Sequence, residues 1–292
     1  MNMKKISLSW FFCLIAAVLH AQNGTEIYLL DLSEVAGNVS LSNPRNVSNK
    51  PGYDNQPFFH PTRPLLYYTS MMPDGQTDIW AYNLQASVRV PVTHTPDSEY
   101  SPTVLPNQTH LSCIVQRKAT GDQDVVSYRL SDPEQMELLL ESQKTGKIGY
   151  QAWLNADEGV VFVLGTPPTM HYLNRKTGLD TVVASQIGRS LHRIPGQRAF
   201  SYVEQVGEMW RIRSYDPTRN LVREITTSDP GFDHYNAWLD SGTLLESRGV
   251  ELWAFSTKTK QWQVVTLPAD LPRKKLSRIA VNGKRIALVL DE

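Results

Sequence analysis

A unit of 40 to 50 residues recurs along this 292-residue chain, and a repeat of that length constrains the architecture before any single element is assigned. Each unit starts with a short segment bounded by Pro, Asn, Asp or Gly: residues 56–61 (QPFFHP), 101–106 (SPTVLP), 151–156 (QAWLNA), 191–195 (LHRIP), 236–240 (NAWLD) and 277–281 (SRIAV). Aligned on Pro57, Pro102, Ala152, His192, Ala237 and Arg278, the six starts are spaced by 45, 50, 40, 45 and 41 residues. In the first full unit, residues 56–60 lead into 64–70 (PLLYYTS). Met72-Pro73-Asp74-Gly75 then reverses the chain into 77–83 (TDIWAYN), and 88–93 closes the unit. Pro195-Gly196, Ser241-Gly242 and Asn282-Gly283 stand between the first and second runs of later units, where the chain must turn tightly. Four short antiparallel strands make a sheet whose two faces one unit alone leaves uncovered. Six units packed face to face in a ring cover them, so the expected fold is an all-β six-bladed β-propeller.

The sixth unit is short. After residues 277–281 only 284–290 (KRIALVL) remain before Asp291-Glu292. Near the other end, residues 26–32 (EIYLLDL) match 78–84 (DIWAYNL) and 251–255 (ELWAF). The N-terminal strands are therefore expected to complete the C-terminal blade, with its edge strand within residues 37–48. Such a closure is noncovalent and leaves no unpaired edge at the seam.

Ahead of these strands stand Lys4 and Lys5, an apolar run over residues 6–19 (ISLSWFFCLIAAVL) and the His20-Ala21-Gln22 junction. This is the layout of a secretory signal over residues 1–21. The run falls short of the ~20 apolar residues that cross a bilayer as a helix, and no later segment reaches that length. Cys13 follows Trp-Phe-Phe rather than the small residues a lipoprotein cleavage site prefers. Residues 22–292 are expected to form a single propeller domain, periplasmic or secreted. Cleavage after Ala21 leaves Cys113 without a disulfide partner, and in the alternating segment 109–116 (THLSCIVQ) it reads as a small buried hydrophobe. The 29 Lys and Arg balance 29 Asp and Glu. That neutrality removes the basic footprint of a nucleic-acid or anionic-membrane binder and leaves a protein or carbohydrate of the cell envelope as the expected partner of a monomer.

Residues 55–84 (NQPFFHPTRPLLYYTSMMPDGQTDIWAYNL) resemble the WD40-like (PD40) repeat of the TolB-type six-bladed propellers, whose blades read roughly Pro-x-Phe-Ser-Pro-Asp-Gly, apolar strand, Asp-Gly turn, Asp-Ile-Trp/Tyr. In other units the Pro-Asp-Gly turn is worn to Pro106-Asn107-Gln108, Ala156-Asp157-Glu158-Gly159 and Pro195-Gly196-Gln197. TolB has an α/β domain before its propeller, whereas here only residues 22–24 separate the expected cleavage point from the first strand. The resemblance implies an exported, noncatalytic binding or scaffold module.

Two sets of side chains recur at fixed places. Tyr28, Trp80, Trp210 and Trp253, with Val126 and His171 in the same slot, are expected to fill the wedge between blades as core. The pairs just before each innermost strand are Asp54-Asn55, Glu99-Tyr100, Gly149-Tyr150, Arg189-Ser190, His234-Tyr235 and Lys275-Leu276. Propeller geometry puts these around the channel mouth. Asn55, Glu99, Tyr100, Tyr150, Arg189, His234 and Tyr235 thus form a candidate site that either grips a protein, peptide or saccharide or merely plugs the channel. No Gly-x-Ser-x-Gly, His-Glu-x-x-His, Cys-x-x-Cys or Gly-x-x-x-x-Gly-Lys motif occurs, so no catalytic residue, metal or cofactor is assigned. The alternative is a propeller enzyme of the metal-dependent lactonase or polysaccharide lyase type, using Ca or Mn and residues such as Asn55, Glu99, His234 and Asn236.

Overall fold

The computed structural model describes residues 24–35 and 37–292; the expected secretory leader lies outside them. Strands β1 (Thr25–Val35) and β2 (Asn38–Asn46) come first. Blade I follows with β3 (Asp54–Phe59), β4 (Leu65–Met71), β5 (Thr77–Asn83) and β6 (Val88–Pro91). Blade II comprises β7 (Ser98–Val104), β8 (His110–Gln116), β9 (Gln123–Arg129) and β10 (Asp132–Leu140), and a helical turn, α1 (Ser142–Thr145), leads out of it. Blade III is β11 (Ile148–Trp153), β12 (Glu158–Val163), β13 (Thr169–Asn174) and β14 (Leu179–Ser185). Blade IV is β15 (Ile187–Arg193), β16 (Phe200–Val206), β17 (Met209–Asp216) and β18 (Leu221–Ser228). Blade V is β19 (Asn236–Trp238), β20 (Thr243–Arg248), β21 (Glu251–Ser256) and β22 (Gln261–Val264). Blade VI takes β23 (Leu276–Asn282) and β24 (Arg285–Asp291) from one end of this series and β1 and β2 from the other, in the order β2-β1-β24-β23. No helix among the described residues is long and apolar enough to cross a membrane.

The first strands of successive blades touch in a closed cycle, β3 to β7, β11, β15, β19, β23 and back to β3. Six apolar clusters occupy the six blade–blade interfaces. Between blades I and II, for example, Tyr67, Ile79 and Ala81 meet Leu111, Cys113, Val115 and Tyr128. Between VI and I, Ile27, Leu29, Ala287 and Val289 meet Leu66, Tyr68 and Tyr82. Each blade is therefore covered on both faces. This explains why second strands such as β4, β8 and β24 read as near-continuous apolar runs and are buried at five consecutive positions, whereas the outermost β6 is exposed throughout. Cys113 is fully buried within one of these interfaces, and burial pushes its thiol well above the usual range.

The seam is the expected one. β1 pairs antiparallel with β24 from Thr25↔Asp291 to Asp31↔Arg285, and Leu32 N–H donates to Lys284 O at 2.8 Å. At its centre Leu288 lies opposite Tyr28 on one side and Ile279 on the other, fully buried with Leu30, Leu252 and Leu276.

Two expectations are corrected by the packing. Tyr28, Trp80, Trp210 and Trp253 are half-buried rather than deep core. The fully buried positions are their neighbours in the strand, such as Ile79 and Ala81 between blades I and II; alternation sends the rings to the opposite face, where Tyr28, Trp80 and Trp210 pack against the edges of the neighbouring interblade clusters. Trp253 carries Arg248 on its face at 4.8 Å, and Nε1 donates to Glu251 at 3.0 Å. Of the same slot, Val126 is fully buried, and His171 is half-buried and hydrogen-bonded through Nδ1 to Asp180 at 2.7 Å.

The second correction concerns Glu99, expected at the channel mouth. Its side chain is wholly buried between blades I and II. It accepts hydrogen bonds from the hydroxyls of Thr95, Thr93 (3.3 Å) and Tyr128 (3.5 Å). Strand alternation is the reason: Tyr100 faces the channel, so its predecessor must face the wall. Burial, reinforced by the Asp78 charge, pushes the Glu99 carboxyl up to about 8.

Replacing Leu288 by Ala opens a cavity at the seam and is expected to lower stability by ~2–5 kcal/mol in one cooperative urea transition. An unchanged midpoint, or a separate transition for blade VI, speaks against the seam as the element that closes the ring. Glu99 gives a pH signature. Its folded value of about 8 exceeds the reference 4.5, so the stability it contributes is complete below 4.5 and is lost as pH rises through about 8. Glu99→Gln, which has no such proton to lose, should gain roughly 1–3 kcal/mol on the wild type between pH 5 and 9. Parallel pH profiles of the two urea midpoints would contradict this.

Candidate ligand site in the central channel

The innermost strands do not run straight along the channel. Register shifts interrupt their pairing between Asn55 and Phe58, Tyr100 and Thr103, Ile148 and Tyr150, Ile187 and Leu191, and Leu276 and Ile279. Bulges of this kind re-aim side chains. At two of them a residue with a side chain takes the left-handed conformation, Gln56 at φ 56° and Ser101 at φ 53°. The strain, roughly 1–3 kcal/mol each, is opposed by hydrogen bonds within and between blades. Gln56 Oε1 accepts from Ser101 N–H at 2.7 Å and from Thr69 Oγ1 at 2.9 Å, and Ser101 O accepts from Gln151 Nε2 at 3.3 Å. On the far side Ser190 Oγ accepts from Asn236 N–H at 3.1 Å and donates to His234 O at 3.2 Å.

Around the axis the structure forms a wide cavity of about 1100 Å3 and a narrower one of about 480 Å3. Gln56, Tyr150, Arg189, Tyr235 and Arg278 line both, so they form the waist between them. Arg278 is held between two rings there, with its guanidinium carbon 4.4 Å from the centroid of Tyr150 and 4.7 Å from that of Tyr235. Tyr150 in turn meets Phe162 edge to face at 5.5 Å. A Cβ at Gly149 beside it would fall 2.9 Å from Leu164 Cδ1 and 3.3 Å from Phe162 Cδ1, so a larger residue there would move the wall of the wide cavity.

Six of the seven residues expected at the mouth, Asn55, Tyr100, Tyr150, Arg189, His234 and Tyr235, line the wide cavity. Their availability differs. The Asn55 amide is occupied, donating to Thr25 Oγ1 at 3.2 Å and accepting from Gln56 N–H at 2.7 Å. His234 is buried, stacked on Trp210 with centroids 4.2 Å apart, and its Nδ1 lies 2.7 Å from Ser228 Oγ. Ser228 also donates to Glu246, which is bound by Arg248 Nε at 2.8 Å. Burial lowers His234 to about 4, so it is neutral at pH 7. Tyr100, Tyr150 and Tyr235 are half-buried and Arg189 is exposed, so these four present surface to the cavity.

The residues weighed for a metal-assisted reaction are not brought to one place. Asn55 and His234 line the wide cavity, Asn236 the narrow one, and Glu99 neither. Sequence reasoning missed Tyr53, Trp210, Phe232 and above all Arg278 as channel residues. A signal for Arg278 was available: it occupies the aligned slot that is Pro, Pro, Ala, His and Ala in the other five units.

No protein-family model matches this sequence, and no curated protein matches it. Solved structures do. A TolB from Acinetobacter baumannii superposes with a TM-score of 0.60 at 12% identity, over 92% of this chain and 65% of that one, so the chain spans about two thirds of its length. A putative TolB from Agrobacterium tumefaciens gives 0.69 at 10% identity, over 93% and 99% of the two chains. A chain of a nidogen/laminin complex gives 0.65 at 8% identity, over 88% and 98%. At these identities the likeness is one of fold, and in fold the chain is a TolB-like six-bladed β-propeller.

Proposed function

We propose that this protein is an exported, noncatalytic binding module that holds a segment of an envelope protein in its wide cavity. The observation that carries the reading is the composition of that cavity. Tyr100, Tyr150 and Tyr235 offer apolar faces with polar tips, and in a cavity of about 1100 Å3 on a rigid ring of strands they stand among apolar side chains such as Phe162 and Trp210 and polar ones such as Gln116, Gln123 and Arg189. The groups that acid–base chemistry would draw on are committed elsewhere: Glu99 to hydroxyls between blades, and His234 to Ser228 and Trp210. Similarity in fold to a chain of a nidogen/laminin complex supports a protein as partner. Export rests on the layout of residues 1–21.

Truncating two aromatic anchors removes the centre of such a surface. Tyr100→Ala with Tyr235→Ala is expected to weaken capture of one specific partner from envelope extracts by at least ~30-fold, about 2 kcal/mol, while the melting curve shows a folded protein. A folded double variant that retains every interaction removes the proposed site. Sequencing the mature protein from periplasmic and medium fractions should give Gln22 as its first residue, and an intact Met1 in every fraction would remove the export reading.

A further inference from the structure

We infer that the waist of the channel is a carboxylate receptor, and that its ligand is the free C-terminus of a peptide lying in the wide cavity. The inference rests on the binding-module reading above and adds the chemistry of the ligand. Arg189, Arg193 and Arg278 line the narrow cavity, and among the described residues no Asp or Glu does. In a chain with 29 basic and 29 acidic residues this is local segregation, not a general excess of positive charge.

Seven arginines of the chain have a carboxylate at salt-bridge distance and ten have none among the described residues; of those ten, Arg189, Arg193 and Arg278 are the ones gathered on the narrow cavity. Among the described residues the carboxylates on the wide cavity are Asp233, already paired with Lys275 at 2.6 Å, and Asp291; neither lines the waist. A guanidinium withdrawn from water without a counter-ion is costly, and a ligand anion would complete the pair.

The geometry also fixes how an anion would be received. The guanidinium of Arg278 lies over the rings of both Tyr150 and Tyr235, which hold it at the waist, and no Asp or Glu among the residues lining the narrow cavity takes up its N–H donors. A planar fork held in one orientation suits a carboxylate, which accepts two parallel bonds. The wall behind the waist selects the rest of the ligand. Ile114, Phe162, Leu164, Ile187, Trp210 and Phe232 line the wide cavity. An extended peptide arriving end-on places its single terminal anion at the waist and its apolar side chains against that wall. An oligouronate would bring a charge on every sugar into a cavity that holds Asp233 and Asp291 and leave these apolar side chains without a partner, and a free phosphate would reach none of them.

The test uses matched arrays of random hexapeptides with free or amidated C-termini, probed with the purified protein at low salt. Hits are then measured by calorimetry on the wild type, Arg278→Gln, Arg278→Lys and Arg189→Gln. The free acids are expected to bind at least tenfold more tightly than their amides. Arg278→Gln should remove that preference, Arg278→Lys should restore only part of it, and the exposed Arg189→Gln should reduce it while remaining folded. Equal binding of acid and amide overturns the inference. So does acid-selective binding that survives both glutamine variants, or displacement of the peptide by trigalacturonate or inorganic phosphate at equal concentration. The two proposals fail separately. Loss of partner capture in the Tyr100→Ala, Tyr235→Ala double variant, with acid and amide binding alike, keeps the module and discards the carboxylate receptor.

Discussion

A blade of this protein has no solvent face. Both sides of every sheet carry apolar side chains, and each of the six interfaces between sheets is filled by its own cluster. An open row of six such sheets would leave two apolar faces in water, so the arrangement is stable only when the last blade meets the first. The pairing of β1 with β24 makes that possible, because it supplies blade VI with the middle strand against which Leu66, Tyr68 and Tyr82 of blade I pack. At ~1.5–3 kcal/mol for each large side chain removed from water, one interface is comparable with the whole stability of an ordinary domain. The channel is a by-product of the same constraint, since six sheets packed at fixed spacing enclose an axial gap that their inner strands must either fill or leave for a ligand.

How the gap is filled separates this channel from a mere void. At the aligned slot of the inner strands, Pro57, Pro102, Ala152 and Ala237 are short, and all four line the narrow cavity. Two long polar residues, His192 and Arg278, occupy the remaining positions of that slot. They do not play the same part. Burial lowers His192 to about 4, leaving it uncharged at pH 7, whereas Arg278 keeps its charge and rests between two tyrosines. A cation over aromatic faces gains ~0.5–2 kcal/mol from each ring quadrupole, which offsets part of the cost of holding it away from water.

The blade count, the four-strand unit and the noncovalent seam were legible in the sequence because they depend on spacing and turn chemistry, which a single chain displays directly. Residues 77–83 appear as β5 with the same limits, and the edge strand expected within residues 37–48 is β2. The site was only half legible. Reading the dipeptide before each inner strand as a unit gave both members to the channel, yet neighbouring residues of a strand face opposite ways. Tyr100 therefore reached the cavity while Glu99 entered the wall; Asp54 is likewise buried, its carboxyl pushed up to about 6 by burial. Arg278 was marked by its long cationic side chain in the aligned slot, a signal of composition rather than of spacing; Tyr53 escaped notice for a different reason. Which side chains converge on an axis depends on bulges, and bulges leave no mark on spacing.

The walls also bear on binding against catalysis. A catalytic acid or base needs a titratable group that meets the substrate. Here His192 on the narrow cavity keeps Nε2 without a partner among the described residues, while two of the strongly shifted groups near the channel are tied into the scaffold, Glu99 to Thr93, Thr95 and Tyr128, and His234 through Ser228 to Glu246 and Arg248. Arg248 continues that chain outward, lying 4.3 Å from the centroid of Trp262 and 4.8 Å from that of Trp253. These networks give the inner strands fixed positions at the expense of chemical freedom. The groups left facing the two cavities are mostly phenols, apolar side chains, amides and guanidiniums, with Asp233 paired to Lys275 among them, so the contact surface is set by the scaffold before any ligand arrives.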